Sequence, residues 1–95
     1  MSHLCGGKGE AHAPNQEQLS IINSAKPEIE AKSGERFGEF EVVSVRTQVV
    51  AGTNIFAKIK VGHDKYIHVR IWHKLGGAGN EVSQVETGKS AHDAL

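Results

Sequence analysis

The chain has 95 residues, with eleven basic side chains against eleven acidic ones, enough for one domain with a single modest core and too few for two. This zero formal net charge excludes a global field that would draw the protein onto nucleic acid or an anionic membrane, so partners have to be recognised by shape. The one cysteine, Cys5, allows no internal disulfide, and no apolar run approaches the roughly 20 residues needed to span a bilayer.

The start, MSHLCGGKGE, lacks the basic opening and apolar stretch of a signal peptide, which with the lone thiol sets the expectation of a cytoplasmic protein. Residues 1–14 carry three glycines, a proline and few large apolar groups, Leu4 and Cys5 among them, a composition expected of a flexible N-terminal arm. Asn15 then has the chemistry of a helix N-cap, and Gln18, three residues on, completes a capping box. From Gln16 to about Lys32, Leu19, Ile22, Ala25 and Ile29 recur at spacings of three and four, the buried stripe of one amphipathic helix. Pro27 has no N–H for the carbonyl of Asn23, so a kink or break is expected there, with the end at Ser33-Gly34.

Beyond Gly34 the apolar period falls to two, and FGEFEVVSVRTQVV, NIFAKIKV and KYIHVRIWHKL read as strands joined by hairpins. Ile55, Ala57, Ile59 and Val61 share one face, as do Ile67, Val69 and Ile71, and these faces are expected to pack on the helix. His68, Arg70 and Trp72 then form an outward, solvated row. GHDK is a turn, GGAGN a glycine-rich loop, EVSQVE a short, weak strand, and TGKSAHDAL an irregular surface tail. The fold class is α+β, a helix against an antiparallel sheet.

Little in the sequence points to catalysis. His63, His68 and His73 are five apart, which puts neighbours on opposite faces of a strand, and no ligand pair has the close spacing of a metal site. Cys5 lies beside two glycines, without the rigid electropositive setting a nucleophilic thiol requires. GGKGE lacks the preceding strand of a phosphate loop, and LGGAGN fails similarly. No enzyme activity, metal or cofactor is expected. The conspicuous stretch is TQVVAGTN, which places Val49, Val50 and Ala51 around Gly52 at an exposed hairpin tip. On spacing alone, this is a turn needing Gly52 for a positive φ, with the valines continuing the strand.

QVVAG, Gln48 to Gly52, followed by Thr53-Asn54, resembles the Gln-x-Val-x-Gly signature of the cystatin superfamily of cysteine-protease inhibitors. Gly6-Gly7, KPEIEAK in one helix and YIHVRIW fall into place around it. Together they resemble the stefins, or type-1 cystatins, from Leu4 to about His73. The resemblance implies one α-helix wrapped by a four- to five-stranded antiparallel sheet in a single domain over residues 1–95. It also implies reversible, competitive inhibition of papain-like proteases, among them papain and cathepsins L, H and B. The cleft would be filled by a wedge of three segments: the arm at Leu4, Cys5, Gly6 and Gly7, the hairpin Gln48, Val49, Val50, Ala51 and Gly52, and the second hairpin at Leu75 and Gly76. A monomer is expected. The alternative is a non-inhibitory interaction module of the same fold, or a domain-swapped dimer made by exchange of the hairpin. Two departures stand out: Leu75-Gly76 replaces the usual Leu-Pro, and the region after Asn80 is short.

Overall fold

In the computed structural model, which describes residues 8–95, the helical region begins as the capping residues dictate. The backbone N–H of Gln18 donates to Asn15 Oδ1 at 2.8 Å, and the Asn15 N–H donates to Gln18 Oε1 at 3.0 Å. Helix α1 runs Gln16–Ser24 and helix α2 Lys26–Ser33, with Ala25 between them. The break at Ala25 puts Pro27 in the first turn of α2, where it sacrifices no intrahelical bond. Gly34 closes α2 at φ 75°, its N–H donating to the Glu30 carbonyl at 2.9 Å. Ile22 and Ile29 of the expected stripe are fully buried, but Leu19 is only half-buried and Ile21 takes its place in the core.

Four antiparallel strands follow in spatial order: β1 Glu41–Val50, β2 Gly52–Gly62, β3 Lys65–His73 and β4 Asn80–Lys89. Strand parity holds. Ile55, Ala57, Ile59, Ile67, Val69 and Ile71 join Val45 and Val82 in one core against Ile21, Ile22, Ile29 and Phe37. Among the described residues the sheet has four strands, and the N-terminal segment adds a bridge on its outer edge. There, the amides of His12 and Val45 each donate to the other's carbonyl, and the Gly9 N–H donates to the Thr47 carbonyl. Arg46 Nε seals this edge on the Gly9 carbonyl at 2.7 Å.

Two further expectations, both about the sheet, need correction. The fourth strand is not short: β4 has ten residues and takes in Thr87, Gly88 and Lys89, which the sequence assigned to an irregular tail. Its polar residues have weak strand propensity, but the ladder to β3 and the burial of Val82 override it. His68 is not solvated either. It is 7% exposed, because residues 91–95 fold back across the open face, where Lys58 Nζ donates to the Ala91 carbonyl and Arg46 Nη1 to the Leu95 backbone oxygen, each at 2.8 Å. No described helix is long and apolar enough to cross a membrane.

Candidate functional site

The register of β1 on β2 pairs Val49 with Thr53 and Val50 with Gly52, leaving Ala51 alone at the turn. Gly52 has φ 98°, and a Cβ there would run into the carbonyl oxygen of His73 and stand 3.0 Å from Trp72 Nε1. Glycine is therefore required twice, for the backbone angle and for the close approach of the tip to the end of β3. The indole N–H of Trp72 donates to the Ala51 carbonyl at 2.8 Å. On the strands below, Asn54 Nδ2 donates to Gln48 Oε1 at 3.0 Å.

The second loop lies at the same end of the sheet, since β3 stops at His73, which pairs with Thr53 on one side and with Asn80 on the other. The Lys74 N–H donates to the Gly79 carbonyl at 2.9 Å and the Ala78 N–H to that of Leu75 at 3.2 Å. Gly76, Gly77 and Gly79 have φ of 68°, 72° and 101°. Proline, fixed near φ −65°, could not take the conformation Gly76 adopts. A proline at position 76 would therefore demand another loop shape as well as a stiffer one.

Four large apolar side chains are exposed among the described residues, and three stand on these two loops: Val49 at 63%, Val50 at 39% and Leu75 at 67%. The fourth, Val43, lies down β1. The N-terminal segment approaches the same end, because its contacts climb β1 from Val45, opposite His12, to Thr47, opposite Gly9. Leu4, Cys5, Gly6 and Gly7 lie outside the described residues. The structure therefore brings Gln48–Gly52 together with Leu75–Gly76.

Sequence reasoning missed Trp72. Parity alone put it in a solvated row, whereas the Asn54–Trp72 pairing carries its indole to the hairpin tip. Knowing that Trp72 precedes the second loop by two residues could have raised the question, but only the register answers it. Lys74 Nζ sits 5.4 Å from the centre of the indole ring and 3.5 Å from Glu81 Oε1. His73 Nδ1 and Asn80 Oδ1 are 2.6 Å apart across the mouth of the loop.

One titratable group set apart by its surroundings is His68, lower on β3. Burial pushes its pKa below the usual 6.5, and the charges of Lys89 and Lys58 push the same way, against Glu86 and Asp93. Its Nε2 is buried without a hydrogen-bond partner among the described residues. No group of three or more metal-ligating side chains gathers among the described residues.

The cystatin domain family matches residues 6–90 of this sequence. The chain belongs to the cystatin family. Mouse Stefin-1 is 38% identical over 91 residues, covering 95% of this chain and 94% of that protein. Human Cystatin-A is 38% identical over 77 residues, covering 81% and 79%, and Cystatin-B of Oplegnathus fasciatus is 35% identical over 97 residues, covering 100% and 97%. This is a stefin-type cystatin, and its Gln48–Gly52 signature forms the hairpin whose tip Trp72 holds.

Proposed function

We propose that this cystatin is a reversible, competitive inhibitor of papain-like cysteine proteases, and that the edge formed by the two loops enters the active-site cleft. The observation that carries this reading is the gathering of Val49, Val50 and Leu75, all exposed, at one end of a sheet whose other large apolar side chains, Val43 apart, are buried or half-buried. An apolar edge on a small protein is a liability unless a partner covers it, and a concave, largely apolar cleft is the complementary shape. The hairpin is ordered before docking, so little conformational entropy is lost there, which favours tight binding over a standard interface of roughly 1,600 Å².

Gly6, with no side chain, would let the arm pass close to a catalytic cysteine, with Gly7 beside it, while Leu4 and Cys5 occupy neighbouring subsites. Contacts made by this segment in the cleft would act chiefly on dissociation. No peptide bond of the inhibitor need lie in an attackable geometry, so it should leave the complex uncleaved.

Titration of papain, with cathepsins L, H and B alongside, tests the proposal. Inhibition should be stoichiometric at nanomolar enzyme, relieved on dilution and competitive with a peptide substrate. Removing residues 1–6 should weaken it about tenfold or more, equivalent to about 1.4 kcal/mol. Papain left fully active by micromolar inhibitor would overturn the reading.

A further inference from the structure

Trp72 lies outside the Gln48–Gly52 signature and outside the Leu75–Gly76 pair, yet its indole links their two loops. It is the only tryptophan in the chain, and its N–H reaches across from β3 to the carbonyl of Ala51, the one residue of the first hairpin that no cross-strand partner holds. Gly52, next in the chain, is pressed against the end of β3 so closely that no side chain fits. On the other side, the ring carries the ammonium of Lys74, the first residue of the second loop. The indole therefore touches the turn of one loop with its N–H and the entry of the other with its face.

We infer that Trp72 is a positioning residue of the inhibitory edge: its N–H fixes the Ala51 carbonyl, and so sets the angle at which Val49 and Val50 stand relative to Leu75. This rests on the inhibitor reading above. A phenyl ring would keep most of the apolar surface and the cation contact but has no donor, so the role belongs to a single N–H. Without it, the Ala51 carbonyl loses its anchor, and the tip, still confined at Gly52, is held less firmly and must be ordered further in each complex. The loss should appear as faster dissociation, since an N–H hidden behind the tip contributes little to first encounter.

The test compares the wild type with Trp72→Phe and with protein carrying β-(3-benzothienyl)alanine at position 72, which keeps both fused rings and lacks only the N–H. Dissociation from papain should quicken about two- to tenfold in both variants, the span of one exposed hydrogen bond, with association unchanged. Backbone ¹⁵N relaxation at Ala51 and Gly52 should show a looser tip, while the melting temperature moves by no more than about 2 °C. Unchanged dissociation in both variants overturns the inference, as does a fall in melting temperature with no selective loosening of the tip. If the wild type does not inhibit papain, the inhibitor reading falls, and the relaxation measurement alone decides whether Trp72 positions the hairpin.

Discussion

At the first hairpin the backbone of Ala51 and Gly52 is held by other parts of the molecule, whereas residues 74–79 of the second loop are held mainly by one another. Gly52 sits against the His73 carbonyl, Ala51 accepts from Trp72, and Gln48 and Asn54 are joined across the strands below. In the second loop, Gly76, Gly77 and Gly79 all take positive φ, and a Cβ added at any of them would meet nothing within 4 Å. Two loops at one rim can thus present similar apolar groups at different entropic cost. Ordering a glycine-rich segment on binding consumes part of what its contacts return, so Leu75 should contribute less net affinity than its exposure suggests.

The sharpest way to break that contrast is Gly52→Ala. The methyl would occupy the space of a backbone carbonyl at φ 98°, where neither partner can swing aside as a side chain could. We expect a loss of about 2–3 kcal/mol of stability, a melting temperature lower by roughly 10 °C or more, and papain inhibition weakened at least about a hundredfold. Thermal unfolding with inhibition kinetics on the same sample checks both. Native-like stability in this variant would mean that the tip is not clamped.

Next in size is a matched pair of charge insertions, Val50→Asp and Leu75→Asp. Both side chains are exposed in the free protein, so each variant should keep its stability within about 0.5 kcal/mol. In the complex, a carboxylate on the clamped hairpin has no way to avoid desolvation, while one on the looser loop can swing back to water. Inhibition constants should rise about a hundredfold for Val50→Asp and about tenfold for Leu75→Asp. Equal losses would show that the second loop is as firmly seated as the first.

What the sequence could and could not disclose follows the same division between local and distant causes. The capping box at Asn15, the interruption at Pro27, the stop at Gly34 and the inward parity of β2 and β3 each depend on a few neighbouring residues, and all were legible. The hairpin signature was legible as a turn rich in valine, and its link to the family rested on resemblance. The length of β4, the burial of His68 and the reach of Trp72 were not legible. Each depends on residues distant in sequence: the β3 ladder, the folded-back segment at 91–95 and the pairing of Asn54 with Trp72. Gly52 was assigned for its φ alone, and its collision with His73 lies beyond any local rule.

His68 gives a comparison that spares both loops, because it lies in the sheet between Lys58 and Glu86, its cross-strand neighbours. Its folded pKa is below 6.5, so above that pH neither folded nor unfolded chain binds the proton and the group is neutral toward stability. As pH falls through 6.5, the unfolded chain takes up the proton first, and stability declines until the lowered native value is passed. Denaturant melts from pH 8 to pH 5 should show this decline, and His68→Gln should flatten it. Acid should loosen both hairpins equally; selective loosening of the first would mean that its clamp depends on charge beneath it.

The smallest effect, and the one that isolates the second loop, is Gly76→Ala. Its φ of 68° lies in the ordinary left-handed region and its surroundings are open, so the methyl meets a backbone cost of about 1 kcal/mol and no collision. A loop held mainly by its own bonds can also relieve that strain by shifting, so the melting temperature should fall by only a few degrees and papain dissociation should change less than about threefold. Gly76→Pro is the stronger form of the same test, since it demands a negative φ and forces the loop into another shape. If that shape is also accommodated, the Gly76→Pro variant will fold normally and bind papain as tightly as wild type or more so, the stiffer residue lowering the entropy lost on docking. A fall in stability for Gly76→Ala matching that of Gly52→Ala would place an unseen constraint on the second loop and erase the distinction between the two.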